Sequence, residues 1–105
     1  MTTSLQRLAD TIEARKFADP DSSWTAKLLA SGPEKCAEKF GEEAIEAIIE
    51  AVKGDRARLI SEAADVTFHL LVMLAARGIT LSDVEKELGR REGLSGIEEK
   101  ARRSK

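Results

Sequence analysis

The chain has 105 residues, 34% of them charged, and its 17 basic and 19 acidic side chains are interspersed to a formal net charge of -2. That length fits one domain, spanning 1–105, with a single core that needs neither disulfides nor a structural metal; the charge balance argues against a protein held to nucleic acid or to an anionic membrane by bulk charge. Tyr is absent, Trp occurs once and Pro twice, so strand-forming aromatics and turn-forming residues are both scarce and long helices fit best.

A lone cysteine, Cys36, cannot make an intrachain disulfide, and the opening Met-Thr-Thr-Ser-Leu-Gln lacks the basic-then-apolar build of a secretory signal. A reducing cytoplasm is therefore expected. The longest nearly uncharged run, residues 66–76, is shorter than the roughly 20 helical residues that cross a bilayer, and reads as buried core.

In chain order, Leu5, Leu8, Ala9 and Ile12 recur at helical spacing, with Ser4 as the expected N-cap of a first helix running to about Lys16. "ADPDSS" breaks it, a short helix from about Trp24 to Ala30 follows, and "SGP" punctuates again. Pro33, which has no N–H to leave unpaired, opens a third helix that runs to Lys53 and stops at Gly54. Asp55 caps a fourth helix, which Gly78 closes near Arg77. Thr80 with Asp83 forms a capping box for a last helix to about Leu88. The tail from about residue 92 is Gly-spaced and charged, a segment that is mobile or docks only on a partner. The expected fold is an all-α antiparallel helical bundle.

On the third helix, Ile45, Ile48, Ile49 and Val52 form a stripe with the spacing of a core-facing surface. Glu42 and Glu46 border that stripe, Glu43 and Glu50 fall further round toward water, and Glu43 and Glu46 share a face at the edge of the core; for this helix taken alone that is the pattern of a solvated flank. On the fourth, Leu59, Ala63, Val66, Leu70, Met73 and Leu74 make one stripe, and Phe68, Leu71 and Val72 cover most of the rest. A helix apolar nearly all round is buried, and its excess of apolar surface on residues 66–76 motivates a dimeric partner. Glu62, within or beside that stripe, and Asp65 three residues on need a counter-charge there. A short connection makes the two helices an antiparallel hairpin, and Glu46 and Glu62 each lie eight residues from Gly54. Two i, i+3 carboxylate pairs at similar height offer hard oxygen donors without a thiolate, a set that suits Mg²⁺ or Mn²⁺ and leaves positions for water and phosphate oxygens.

At "GEEAIE" (residues 41–46) and "SEAAD" (61–65) the chain resembles the all-α MazG-like nucleoside triphosphate pyrophosphohydrolases, whose pattern is E-E-x-x-E, a spacer, then E-x-x-D. Within them, residues 23–91, with "SWTAKL", "KFGEEAIE" and "ADVTFHLLVMLAARG", look most like the phosphoribosyl-ATP pyrophosphatases of histidine biosynthesis. The resemblance implies a Mg²⁺-dependent hydrolase that cuts phosphoribosyl-ATP between its α- and β-phosphates, acting as a homodimer. It makes Glu43, Glu46, Glu62 and Asp65 the metal ligands, and Glu42 a further ligand or the acceptor of a proton from the attacking water. Relatives commonly have Tyr where this chain has Trp24 and Phe68, so no phenolic hydroxyl acts there. Two other functions compete: a housecleaning enzyme for (deoxy)nucleoside triphosphates on the same fold, and a non-enzymatic helical dimerisation module.

Charge on the leaving pyrophosphate calls for basic partners, and Lys27, Lys35, Lys39, Arg90 and Arg91 are the candidates, Lys39 foremost because it lies one turn from Glu43. His69, one turn after Asp65, either supports the metal site or is a core histidine satisfied by a carbonyl. Cys36 reads as a packing residue rather than a nucleophile. Trp24 either stacks on a base or packs on the bundle, and Gly41 leaves room either for another helix or for phosphate.

Overall fold

The computed structural model describes residues 2–93 together with residues 96, 100 and 103. Over residues 2–93, five helices follow one another, α1 (Ser4–Arg15), α2 (Trp24–Ala30), α3 (Pro33–Lys53), α4 (Arg56–Ala76) and α5 (Leu81–Arg91), and there is no strand among the described residues. The all-α expectation holds.

The N-cap of α1 is Thr3, not Ser4: the Thr3 hydroxyl accepts from the Gln6 N–H and the Gln6 side chain accepts from the Thr3 N–H at 2.9 Å, a reciprocal pair that Ser4 is one residue too late to make. Ser23 caps α2 and Asp55 caps α4. Thr80 and Asp83 form the expected box at α5, which continues past Leu88 to Arg91 because Gly89 lies within the helix rather than ending it. The tail expectation falls mostly on residues outside those described.

α3 and α4 form the long hairpin of the fold. Gly54 closes α3 in the left-handed conformation (φ 77°), its N–H bonded to the Glu50 carbonyl at 3.0 Å, and Asp55 immediately accepts from the Arg58 N–H at 3.1 Å to start α4. With so short a turn, residues equally far from Gly54 stand side by side. Cys36 and Val72, eighteen residues to either side, are each only 1% exposed. Around them lies the core, built from Ile12 of α1, Leu28 of α2, and Leu71 and Ala75 of α4, with Leu8, Phe68, Met73 and Leu81 packed against it. The Cys36 thiol donates to the Leu28 carbonyl at 3.2 Å, and burial pushes its pKa up, so it is a packing residue as expected.

This core fills only the end of the hairpin remote from the turn. α1 and α2 cover that end, and the turn half of the α3–α4 groove is left open. α4 has the length and hydropathy of a membrane span, yet it is the helix against which α1, α2 and α3 all pack, and it carries Glu62 and Asp65 at mid-length.

Two expectations about apolar faces are corrected. Ile45, Ile48, Ile49 and Val52 do not face the core: they are 59%, 60%, 46% and 84% exposed. α3 turns its other side, on which Cys36 and Glu50 are buried, toward α4. Residues 66–76, in turn, are buried or half-buried within the chain itself, and the buried positions of α4 are His69, Leu71, Val72 and Ala75. The surplus of apolar surface therefore lies on α3.

Candidate metal and phosphate site

The open half of the hairpin is a ladder of charged pairs. Counting from Gly54, Glu50 and Arg58 lie four residues to either side, Glu46 and Glu62 eight, Glu43 and Asp65 eleven, and Lys39 and His69 fifteen. A helix repeats every 3.6 residues, so steps of three and four keep every rung on the facing sides of α3 and α4. Two acid-against-acid rungs are bracketed by rungs that carry a basic residue.

The central rungs converge. One carboxylate oxygen from each of Glu43, Glu62 and Asp65 lies within 4.8 Å of the others, and the Glu46 carboxyl sits against both Glu43 and Glu62. Glu43 and Glu62 are half-buried, Glu46 and Asp65 exposed. Glu43 thus faces the groove and not water, which corrects its expected orientation. Burial raises the Glu62 pKa, and the Glu46 carboxyl, then Asp65 and Glu43, raise it further. Burial and then Glu46 likewise raise Glu43, with Lys39 opposing. The Glu62 Oε2 is enclosed and meets no hydrogen-bond donor. Crowded carboxylates that lack donors are a site in want of positive charge, and oxygen donors without a thiolate fit a hard divalent cation.

At the far end, the Lys39 ammonium donates to Glu42 Oε2 at 3.2 Å. It sits beside Glu43 and near His69, where its charge is felt by both. His69 is buried, its ring edge-on to Phe68 with centroids 5.0 Å apart. Burial lowers its pKa, helped by Lys39 and opposed by Asp65 and Glu42. Its Nδ1 meets no partner, so no carbonyl satisfies that nitrogen. His69 is thus held toward its neutral form at the rung next to the acids.

Of the other basic candidates, Lys35 reaches Glu38 at 3.6 Å, Arg90 and Arg91 reach Glu87 on α5 at 2.6 and 3.7 Å, and Lys27 is exposed on α2. Lys39 is placed by its contacts at the acids. Trp24 is 55% exposed, and a side chain added at Gly41 would meet nothing of this chain within 4 Å. Sequence reasoning passes over Arg58 and turns Glu50 toward water, whereas Glu50 is buried and both line a cleft with Glu46 and Glu62. The count from Gly54 that aligns Glu46 with Glu62 also aligns Glu50 with Arg58, and is the signal that finds them.

Comparison with known proteins gives this geometry a context. The profile of the family described as Phosphoribosyl-ATP pyrophosphohydrolase matches residues 5–92. The chain is 81% identical over 101 residues to a phosphoribosyl-ATP pyrophosphatase of Paracoccus denitrificans (strain Pd 1222), covering 96% of this chain and 94% of that one. It is 80% identical over 99 residues to the phosphoribosyl-ATP pyrophosphatase of Cereibacter sphaeroides (strain ATCC 17025 / ATH 2.4.3), covering 94% and 96% of the two chains. To that of Dinoroseobacter shibae (strain DSM 16493 / NCIMB 14021 / DFL 12) it is 78% identical over 99 residues, covering 94% and 97%.

Proposed function

The chain belongs to the phosphoribosyl-ATP pyrophosphohydrolase family, and from that premise we propose that it hydrolyses phosphoribosyl-ATP to phosphoribosyl-AMP and pyrophosphate, a step of L-histidine biosynthesis, at the carboxylate ladder between α3 and α4. The observation that carries this reading is the convergence of Glu43, Glu62 and Asp65 within 4.8 Å, with Glu46 against them, in a chain of that family. The same convergence favours a metal-holding role over a purely structural one for these acids.

Glu43, Glu46, Glu62 and Asp65 would hold Mg²⁺ or Mn²⁺, which when bound screens a polyphosphate and makes water easier to deprotonate. In the reaction, water adds to one phosphorus of the α–β anhydride, and the bridging oxygen leaves with the other. The water's proton passes to a carboxylate of the cluster or to Glu42, which lies beside it on Lys39 and otherwise serves as a fifth ligand. The Lys39 ammonium, half-buried and close to Glu43, supplies donors toward phosphate oxygens. Burial lowers the His69 pKa and so disfavours a positive charge on it beside the acids.

The exposed Ile45, Ile48, Ile49 and Val52 support a homodimer. Burying each such side chain against a second copy contributes about 1.5–3 kcal/mol, and these four lie on one face of a helix already fixed by α4. The single free thiol, Cys36, fits a reducing cytoplasm. The deciding experiment follows pyrophosphate release with Mg²⁺ on phosphoribosyl-ATP and on a panel of deoxynucleoside triphosphates. Preferential cleavage of phosphoribosyl-ATP is expected; preference for the panel would assign the housecleaning activity instead.

A further inference from the structure

We propose that Arg58, steadied by Glu50, is a phosphate-binding arm at the turn end of the carboxylate ladder. The proposal rests on the reading that a polyphosphate lies along that ladder. The rung nearest the turn differs from the two next to it, because it sets one carboxylate against one guanidinium. A cleft of about 290 Å³ joins it to its neighbour, lined by Glu46, Ile49, Glu50, Arg58, Ser61 and Glu62. Arg58 and the acid site thus share one continuous surface.

Glu50 supplies the reason for an arginine here. Its side chain is 8% exposed, its Oε2 is enclosed without a hydrogen-bond donor, and its Oε1 lies 3.7 Å from the Lys53 ammonium, beyond hydrogen-bonding length. A carboxylate so enclosed is stabilised by positive charge: Lys53 supplies it at ion-pair distance on one side, and Arg58 is the one basic residue among those lining the cleft. The Arg58 side chain is itself 73% exposed, with Nε 3.8 Å from Asp55 Oδ2, too far for that contact to fix it in place. The guanidinium is a planar fork with five donors, able to give one edge to a carboxylate and another to a phosphate. In the structure Arg58 lies beside Asp55 and makes no ion pair with Glu50; giving one edge to Glu50 would turn it into the cleft, with its remaining N–H groups toward a phosphate bound beside Glu46 and Glu62.

Lys39 cannot take this role. It stands fifteen residues from Gly54 where Arg58 stands four, and at 1.5 Å per residue their backbone positions are about 16 Å apart along the hairpin. They bracket a chain of phosphates rather than share one.

The probe is inorganic pyrophosphate, which carries no nucleoside. Its affinity for the full chain in Mg²⁺ is measured by calorimetry for wild type, Arg58→Ala, Arg58→Lys, Glu50→Gln and the Glu50→Gln/Arg58→Ala double variant, alongside KM and kcat for phosphoribosyl-ATP. Losing charge-assisted hydrogen bonds is expected to weaken pyrophosphate binding about tenfold or more in Arg58→Ala and to raise KM, with partial recovery in Arg58→Lys. Glu50→Gln is expected to weaken binding less, and to add nothing on top of Arg58→Ala. Wild-type pyrophosphate affinity and KM in Arg58→Ala would overturn the proposal while leaving the function intact, as would Glu50 and Arg58 losses that simply add. A wild type that neither binds pyrophosphate nor cleaves the substrate overturns both.

Discussion

Glu43 and Asp65 face each other across the α3–α4 hairpin, eleven residues to either side of Gly54, and with Glu62 bring carboxylate oxygens within 4.8 Å of one another. A divalent cation bound there is held by the folded chain and not by the unfolded one. At a hundred times its Kd such an ion adds about 2.7 kcal/mol, enough to raise the Tm of a domain this small by roughly 10 °C. Melting curves with Mg²⁺ or Mn²⁺ should show that rise, and Glu46→Gln and Asp65→Asn should lose most of it. Coincident curves with and without metal would refute the site.

Acidity tests the same cluster in chelator. The Glu43 and Glu62 pKa values are raised, so the stability linked to them is present below the ordinary carboxylate pKa and is lost as pH rises through the raised values. Metal-free Glu62→Gln, which removes one crowded charge, should therefore melt above wild type at about pH 7, and the gap should narrow toward about pH 5. A gap that widens on acidification would contradict the assignment. Mg²⁺ should reverse the order at neutral pH.

Ile48 tests the association surface. It is 60% exposed, so a charge there costs the isolated fold little but would be buried without a partner in a dimer. Sedimentation velocity should report a dimer for wild type and a monomer for Ile48→Asp at micromolar concentration. A wild-type monomer would remove the basis for the dimer.

Gly54→Ala isolates the turn. The position has φ 77°, and an added Cβ would meet nothing within 4 Å, so the cost is conformational, about 1 kcal/mol. The Tm should fall by several degrees, while the Mg²⁺-dependent rise persists. Loss of that rise would mean that the turn's backbone also sets the carboxylate spacing.

The hairpin and its acids are legible in the sequence because their signals are local: Gly54 followed by Asp55, and carboxylates three residues apart, need no knowledge of distant packing. The isoleucines of α3 are not. Periodicity reports that a helix face is apolar, but not which molecule covers it, and the side that meets α4 carries Cys36, Glu43, Glu46 and Glu50, which read as polar or neutral. For the same reason Glu50 is misread as solvated. Arg58, in the first turn of α4, carries the pattern of any surface arginine, and only its position opposite Glu50 marks it out.

The pairing of residues at equal distance from Gly54 makes this protein intolerant of length changes in a way that point substitution does not reveal. One residue inserted in α3 between Glu46 and Gly54 would swing Glu43 and Glu46 round by about 100° and lift them by about 1.5 Å, scattering the carboxylates while leaving composition, charge and apolar content intact. An insertion in the connection from α1 to α2 would leave their alignment untouched. Genetic drift in this chain is thus free to lengthen its outer connections, but between residues 43 and 65 it must keep count.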